Sequence, residues 1–305
     1  ISYAAGMDES EDIEKPEVVN QVARKPSAPS SSMAKVIASS AASATAVPVP
    51  DMVVSEPSLD FGNGDDFGEG WGDGDGWSSG GGGAASFFQQ KVKAQRICFV
   101  IDYSMSMKGD RIRLLKQELV RSVGALPESM EYQLIFFAGP AWVAGSEVKL
   151  AKNNRSAIVT YKGREFDWTG KGAHSWEPKG SKLRSPGWLQ ASKENLDESL
   201  SIIRETNLVF GTAWEAPLEM ALKMDPRPEV IFFMTDGACG KSSEEIAEKI
   251  AKSDKRKDIK INAIAMMDPS ARDAMGSLAE ITGGQFSMVE KSGKTKVLIK
   301  GKEDE

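Results

Sequence analysis

FVIDYSMSMKGDR, residues 99–111, begins as an apolar run and then breaks into an aspartate followed by two serines at alternate positions, Asp102, Ser104 and Ser106. The run starts earlier, as RICFVID (96–102), and its unbroken apolar centre is what a strand buried on both faces requires. Directly after it, DRIRLLKQELVRSVG (110–124) places apolar residues at 112, 115, 119, 120 and 123, one stripe of a helix that stops at Gly124. Taken alone, the aspartate and serines between strand and helix read as a capped turn. Their meaning depends on what else the chain brings to the same place.

The same alternation continues downstream. YQLIFFA (132–138) reads as a strand, with WVAGSEVKL (142–150) as its antiparallel neighbour. Helices are predicted over 189–205 and 212–224, the latter with Pro217 tolerable in its first turns. EVIFFMTD (229–236) is a strand, 242–255 a helix opened by a Ser/Glu capping pattern, and IKINAIAM (259–266) a strand. A helix over 270–284 and a short strand, QFSMVE (285–290), complete the series. Apolar strands alternating with amphipathic helices imply an α/β fold, doubly wound, with a mostly parallel central sheet flanked by helices. Residues 151–188, rich in Gly, Lys and Ser, interrupt this pattern and read as an inserted surface excursion. They hold Trp168, Trp176, Trp188 and the single histidine, His174. The tryptophans suit either an exposed recognition patch or the small core that fastens the insertion down.

In an open parallel sheet, ligands bind beyond the carboxyl ends of the strands. Three segments put oxygen-bearing side chains there: Asp102-Tyr103-Ser104-Met105-Ser106, Phe210-Gly211-Thr212 and Thr235-Asp236-Gly237. Each alone is an ordinary turn or cap. Together they offer two carboxylates and three hydroxyls, hard donors suited to a small dication that keeps part of its water.

Asp-x-Ser-x-Ser after an apolar strand, Gly-Thr before a helix and Thr-Asp-Gly after another strand resemble the von Willebrand factor type A domain, over about residues 93–290. The resemblance implies a Rossmann-like fold with a metal-ion-dependent adhesion site of bacterial type. Its ligands would be Asp102, Ser104, Ser106, Thr212 and Asp236, holding Mg²⁺ or Mn²⁺. The implied function is recognition of a protein partner whose Asp or Glu completes the coordination shell, not catalysis. Met105 stands where relatives often carry Gly between the serines, and Phe210 where Gly-Gly-Thr is usual.

Composition sets the surroundings of this unit. Residues 1–90 carry 14 acids and 4 bases, whereas the remainder carries 30 acids and 34 bases. An acidic segment before a near-neutral body argues against nucleic-acid binding as the main activity. The chain accordingly divides into an acidic, disordered Ser/Ala/Pro then Gly/Asp-rich linker (1–86), the domain (87–291) and a charged C-terminal tail (292–305). GDGDG within the linker lacks the order of an EF-hand loop and reads as solvated acidic chain. A domain on such a stalk suits the cell envelope, and a membrane tether would lie upstream of Ile1. Cys98 and Cys239 make neither a disulfide framework nor a metal pattern.

Two rival readings are weighed. A haloacid-dehalogenase-like phosphatase also begins with an apolar strand ending in aspartate, but it needs a second carboxylate where Ser104 stands. A scaffold protein whose metal is structural would instead bind its partner through the 151–188 insertion. Phosphate-loop and serine-hydrolase chemistry are disfavoured, since no glycine-rich phosphate motif follows the first strand and His174 is the only histidine.

Overall fold

A computed structural model of the chain describes residues 84–180, 185–237, 239–240, 243–254, 258–267 and 269–301. The linker readings for 1–83, the Ser242 cap and the last residues of the tail lie outside them. The first quoted run becomes β3 (Arg96–Asp102), buried from Ile97 to its end. Its parallel neighbours are equally apolar: β4 (Glu131–Phe137) on one side and the fully buried β11 (Val230–Thr235) on the other. Beyond β11 follow β12 (Lys260–Met266) and β13 (Phe286–Val289), also parallel. The central sheet closes at one edge with antiparallel β14 (Thr295–Ile299). At the other edge, β10 (Leu189–Gln190) and β5 (Ala141–Val143) pair antiparallel with the start and end of β4. Residues expected as a charged tail from 292 therefore extend the sheet through β14, with only part of the segment past it.

Helices cover both faces, as the alternation of strand and helix predicts. On one face lie α1 (Asp110–Gly124) and α2 (Lys193–Glu205), the latter capped by the Ser192 side chain accepting from Asn195 N. Tyr132 of β4 fixes α2 by donating to the Asn195 carbonyl at 2.8 Å. On the other face lie α3 (Glu215–Leu222), α4 (Ser243–Ser253) and α5 (Arg272–Thr282), with Trp214 edge-on to Phe233 of β11 at 5.2 Å. Two helices leave part of the first face open, and an unexpected hairpin fills it. Its strands are β1 (Ala84–Phe87) and β2 (Gln90–Lys93). Phe87 packs edge-on to Phe99 and Phe232, while the buried Gln90 amide donates to Ser287 Oγ at 3.0 Å and the Ala263 carbonyl at 3.2 Å. Among the described residues, no helix is long and apolar enough to cross a membrane.

Three expectations are corrected. The segment 142–150 is not one strand, because Gly145 (φ +85°) breaks it into β5 on β4 and β6 (Glu147–Leu150) elsewhere. The 212–224 helix starts only at Glu215, leaving Thr212 in a loop. The insertion is not an irregular excursion: β6, β7 (Ser156–Tyr161), β8 (Arg164–Gly172) and β9 (Ser175–Pro178) form a second, antiparallel four-stranded sheet. Trp168 and Trp176 are buried in its junction with the domain and Trp188 is partly buried, its indole donating to the Pro226 carbonyl at 2.8 Å. The tryptophans are therefore fastening groups rather than an exposed patch.

Candidate metal site at the sheet edge

Asp102 is the last residue of β3 and is wholly buried. The β3–β11 register sets Met234 opposite Ile101, so Thr235 emerges beside Asp102. The Thr235 hydroxyl accordingly donates to Asp102 Oδ2 at 2.5 Å, and the Ser104 backbone N–H donates to Asp102 Oδ1 at 2.7 Å. After Ser104 the chain turns through a single 3₁₀ turn, Met105–Met107, which brings Ser106 back over the sheet end. Ser106 Oγ donates to Asp236 Oδ1 at 2.8 Å. Its proton being so used, the 2.7 Å contact between Ser104 Oγ and Ser106 Oγ must have Ser104 as donor. Asp102, Ser104, Ser106 and Asp236 thus form one cluster of oxygens.

Thr212 reaches the same edge by a different route. Its loop is stitched to the first one by Val209 N donating to the Tyr103 carbonyl at 2.8 Å and Met105 N donating to Val209 O at 3.0 Å. It is stitched to the end of β4 by Gly139 N donating to Phe210 O at 2.9 Å and Ala213 N to Ala138 O at 2.8 Å. Gly211 is obligatory there: its φ is +96°, and a Cβ would sit 2.7 Å from Gly139 Cα. The turn between β8 and β9 holds the loop from outside. Ala173 O accepts from Thr212 N at 2.7 Å, and exposed His174 donates through Nδ1 to Thr212 O at 3.1 Å. Thr212 itself is nearly buried, and its hydroxyl makes no hydrogen bond with the four-residue cluster. Met105 is half-exposed on the rim, while Phe210 packs partly against the core.

One participant was not singled out from the sequence. Arg111, in the first turn of α1, places Nη1 3.3 Å from Asp236 Oδ2 and donates to the Ser106 carbonyl at 3.1 Å. The signal for it was available: a cation in a helix's first turn opposes the macrodipole and wants a compensating anion. Thr235 also acts beyond its expected place in a turn, since it fixes the Asp102 carboxylate.

Electrostatics explain the cluster's demand for positive charge. Burial pushes the Asp102 carboxyl up to about 7, the negative charge of Asp236 adds to this, and hydrogen bonds from Ser104 and Thr235 oppose it. Both carboxylates are buried, and the partly exposed Arg111 guanidinium lies against Asp236. Such an all-oxygen set, with carboxylates that resist joint ionisation, fits a small hard dication. Among the described residues no three His, Cys, Asp or Glu side chains gather together, so hydroxyls would have to complete any cage. Elsewhere, both cysteines are buried and free, and burial pushes the Cys98 thiol up.

Comparison with known proteins agrees with this architecture. The family model described as von Willebrand factor type A domain matches residues 95–146 and 175–288, and its gap falls on β6 to β8. No curated protein matches. Among solved structures, the chain is similar to the von Willebrand factor type A protein of Catenulispora acidiphila, at 12% identity and a TM-score of 0.47 over 66% of this chain and 41% of that one. It is also similar to the conserved hypothetical protein BatB from Bacteroides thetaiotaomicron, at 14% identity and a TM-score of 0.41 over 64% of this chain and 90% of that one. A third is proximal thread matrix protein 1 from the mussel byssus with a zinc-occupied MIDAS motif, at 16% identity and a TM-score of 0.39 over 68% and 48%. With TM-scores below 0.5, none of these bears on what this chain binds. The match to the family model, over more than half of the residues, does settle kinship: the chain belongs to the von Willebrand factor type A family.

Proposed function

We propose that this domain, one of a family of protein–protein interaction modules, recognises its partner through a Mg²⁺ or Mn²⁺ ion at the edge of the central sheet. Asp102, Ser104, Ser106, Thr212 and Asp236 would hold the ion. Its chemistry when bound is that of a Lewis acid with an open position for a partner's Asp or Glu carboxylate. The observation carrying this reading is the single hydrogen-bonded cluster that joins Asp102, Ser104, Ser106 and Asp236 from two different strand ends. Asp102 and Asp236 supply the charge, and burial of both strengthens any attraction between them and a cation. Ser104 keeps that geometry by donating to Ser106, which in turn donates to Asp236. The Thr212 loop, clamped by the β8–β9 turn, forms the neighbouring wall, so the second sheet contributes to the same face.

The scaffold reading, with a structural metal and a partner held by the second sheet, has one observation in its favour. A cleft of about 380 Å³ opens between that sheet and the domain, lined by Trp142, Tyr161, Phe166, Trp168 and Met220, with Lys162 and Arg164 beside them. Water-proton relaxation with Mn²⁺ separates the two. In the metal-bridged reading, an Asp-containing peptide displaces water from protein-bound Mn²⁺ and lowers the relaxation enhancement, whereas its Asn counterpart does not. Equal behaviour of both peptides would favour the scaffold.

A further inference from the structure

Arg111 occupies an electrostatically awkward position. It lies in the first turn of α1, where the helix dipole disfavours a cation, and no side chain caps that helix end. Its guanidinium nevertheless turns back over the sheet edge, 3.3 Å from Asp236 Oδ2 and 3.1 Å from the Ser106 carbonyl. Asp236 is 2% exposed, so this contact partly neutralises a carboxylate that is almost out of water. Arg111 itself keeps about a third of its surface in solvent and so has room to leave. Arg113, two residues on, pairs with exposed Asp110 on the helix surface.

We propose that Arg111 is a tethered counter-cation that competes with the divalent ion for Asp236 and thereby sets the domain's metal affinity. The inference rests on the metal-site reading above. Without a divalent ion, the guanidinium partly neutralises Asp236 and holds the Ser106 turn through its carbonyl. With one bound, the dication and the guanidinium would crowd the same Asp236 carboxylate in a poorly screened setting, so the guanidinium must withdraw and its hydrogen bond to Ser106 is lost. Each binding event therefore carries the cost of breaking that contact. The arrangement tunes the site to respond to divalent concentration instead of remaining permanently loaded.

The test is isothermal titration of the full chain with Mg²⁺ for wild type, Arg111→Met and Arg113→Met, with melting temperatures in EDTA and in saturating Mg²⁺. Arg111→Met should bind about tenfold more tightly, melt lower than wild type in EDTA, and recover most of that difference in Mg²⁺. Arg113→Met should stay within about twofold of wild type. Unchanged or weaker binding by Arg111→Met overturns the role of Arg111. So does an equal gain in both variants, which would be a general effect of net charge. Absence of binding in wild type and Arg111→Met alike overturns the metal site itself, and this inference with it.

Discussion

Replacing Asp102 by Asn should make the metal-free domain progressively more stable than wild type as pH rises. The Asp102 carboxyl is wholly buried and held at about 7 against an ordinary 3.8. A group whose folded value is raised contributes its full stability below the unfolded value and loses it as pH climbs through the folded one. The window is therefore from about pH 4 to just above 7, and the complete loss is roughly 4 kcal/mol at 1.36 kcal/mol per pH unit. Asparagine does not titrate. Its amide can donate to Thr235 Oγ1, whose own proton can turn to the Gly237 carbonyl at 3.1 Å, so the local network survives. Any fixed cost of the exchange cancels when two pH values are compared. Between pH 5 and pH 8 in EDTA, the stability of Asp102→Asn relative to wild type should rise by about 2–3 kcal/mol. For a domain of this size that is about 5–10 °C of melting temperature. Differential scanning calorimetry at both pH values measures it directly. A difference that is independent of pH, or one that narrows toward pH 8, would refute the reasoning that Asp102 is a buried carboxylate awaiting a cation.

Two other substitutions probe the supports. Gly211→Ala forces a Cβ to within 2.7 Å of Gly139 Cα at a φ of +96°, so it should cost about 1–3 kcal/mol and weaken Mg²⁺ binding by displacing Thr212; thermal melts and titration check both effects. Glu118→Ala removes the buried carboxylate that accepts the Phe88 N–H at 2.6 Å and leaves that donor without its partner. Urea denaturation should show a loss of about 2–3 kcal/mol with Mg²⁺ affinity unchanged, because the hairpin does not touch the site.

The central sheet was legible because its strands are largely apolar runs, and the candidate site because two of them, 96–102 and 229–236, end abruptly in oxygen. Asp102 and Asp236 could be placed together from pattern alone, since parallel strands in such a sheet present their carboxyl ends on one edge. The β1–β2 hairpin escaped because its turn is built from Phe88 and Gln89, both at positive φ, where Asn-Gly would have announced it. The second sheet did carry such an announcement. Lys162 and Gly163, with φ of +49° and +73°, form the tight turn between β7 and β8, and SAIVTY alternates on either side of its buried positions. The surrounding Gly, Lys and Ser hid that alternation. The late start of α3 reflects tertiary override: Thr212 and Ala213 spend their N–H groups on Ala173 and Ala138 rather than on a helix turn. Arg111 carried only a local signal, a cation in the first turn of a regular amphipathic helix, and its partner lies on a distant strand end that local pattern does not name.

The most direct test of the metal site is isothermal titration of the wild-type chain and of Asp102→Ala with Mg²⁺ at about pH 7.5, above the value of about 7 to which burial raises the Asp102 carboxyl. One saturable Mg²⁺ per wild-type chain, with no measurable binding by a folded Asp102→Ala variant, is the expected result. Equal affinity in the two proteins would place any metal elsewhere and contradict the account.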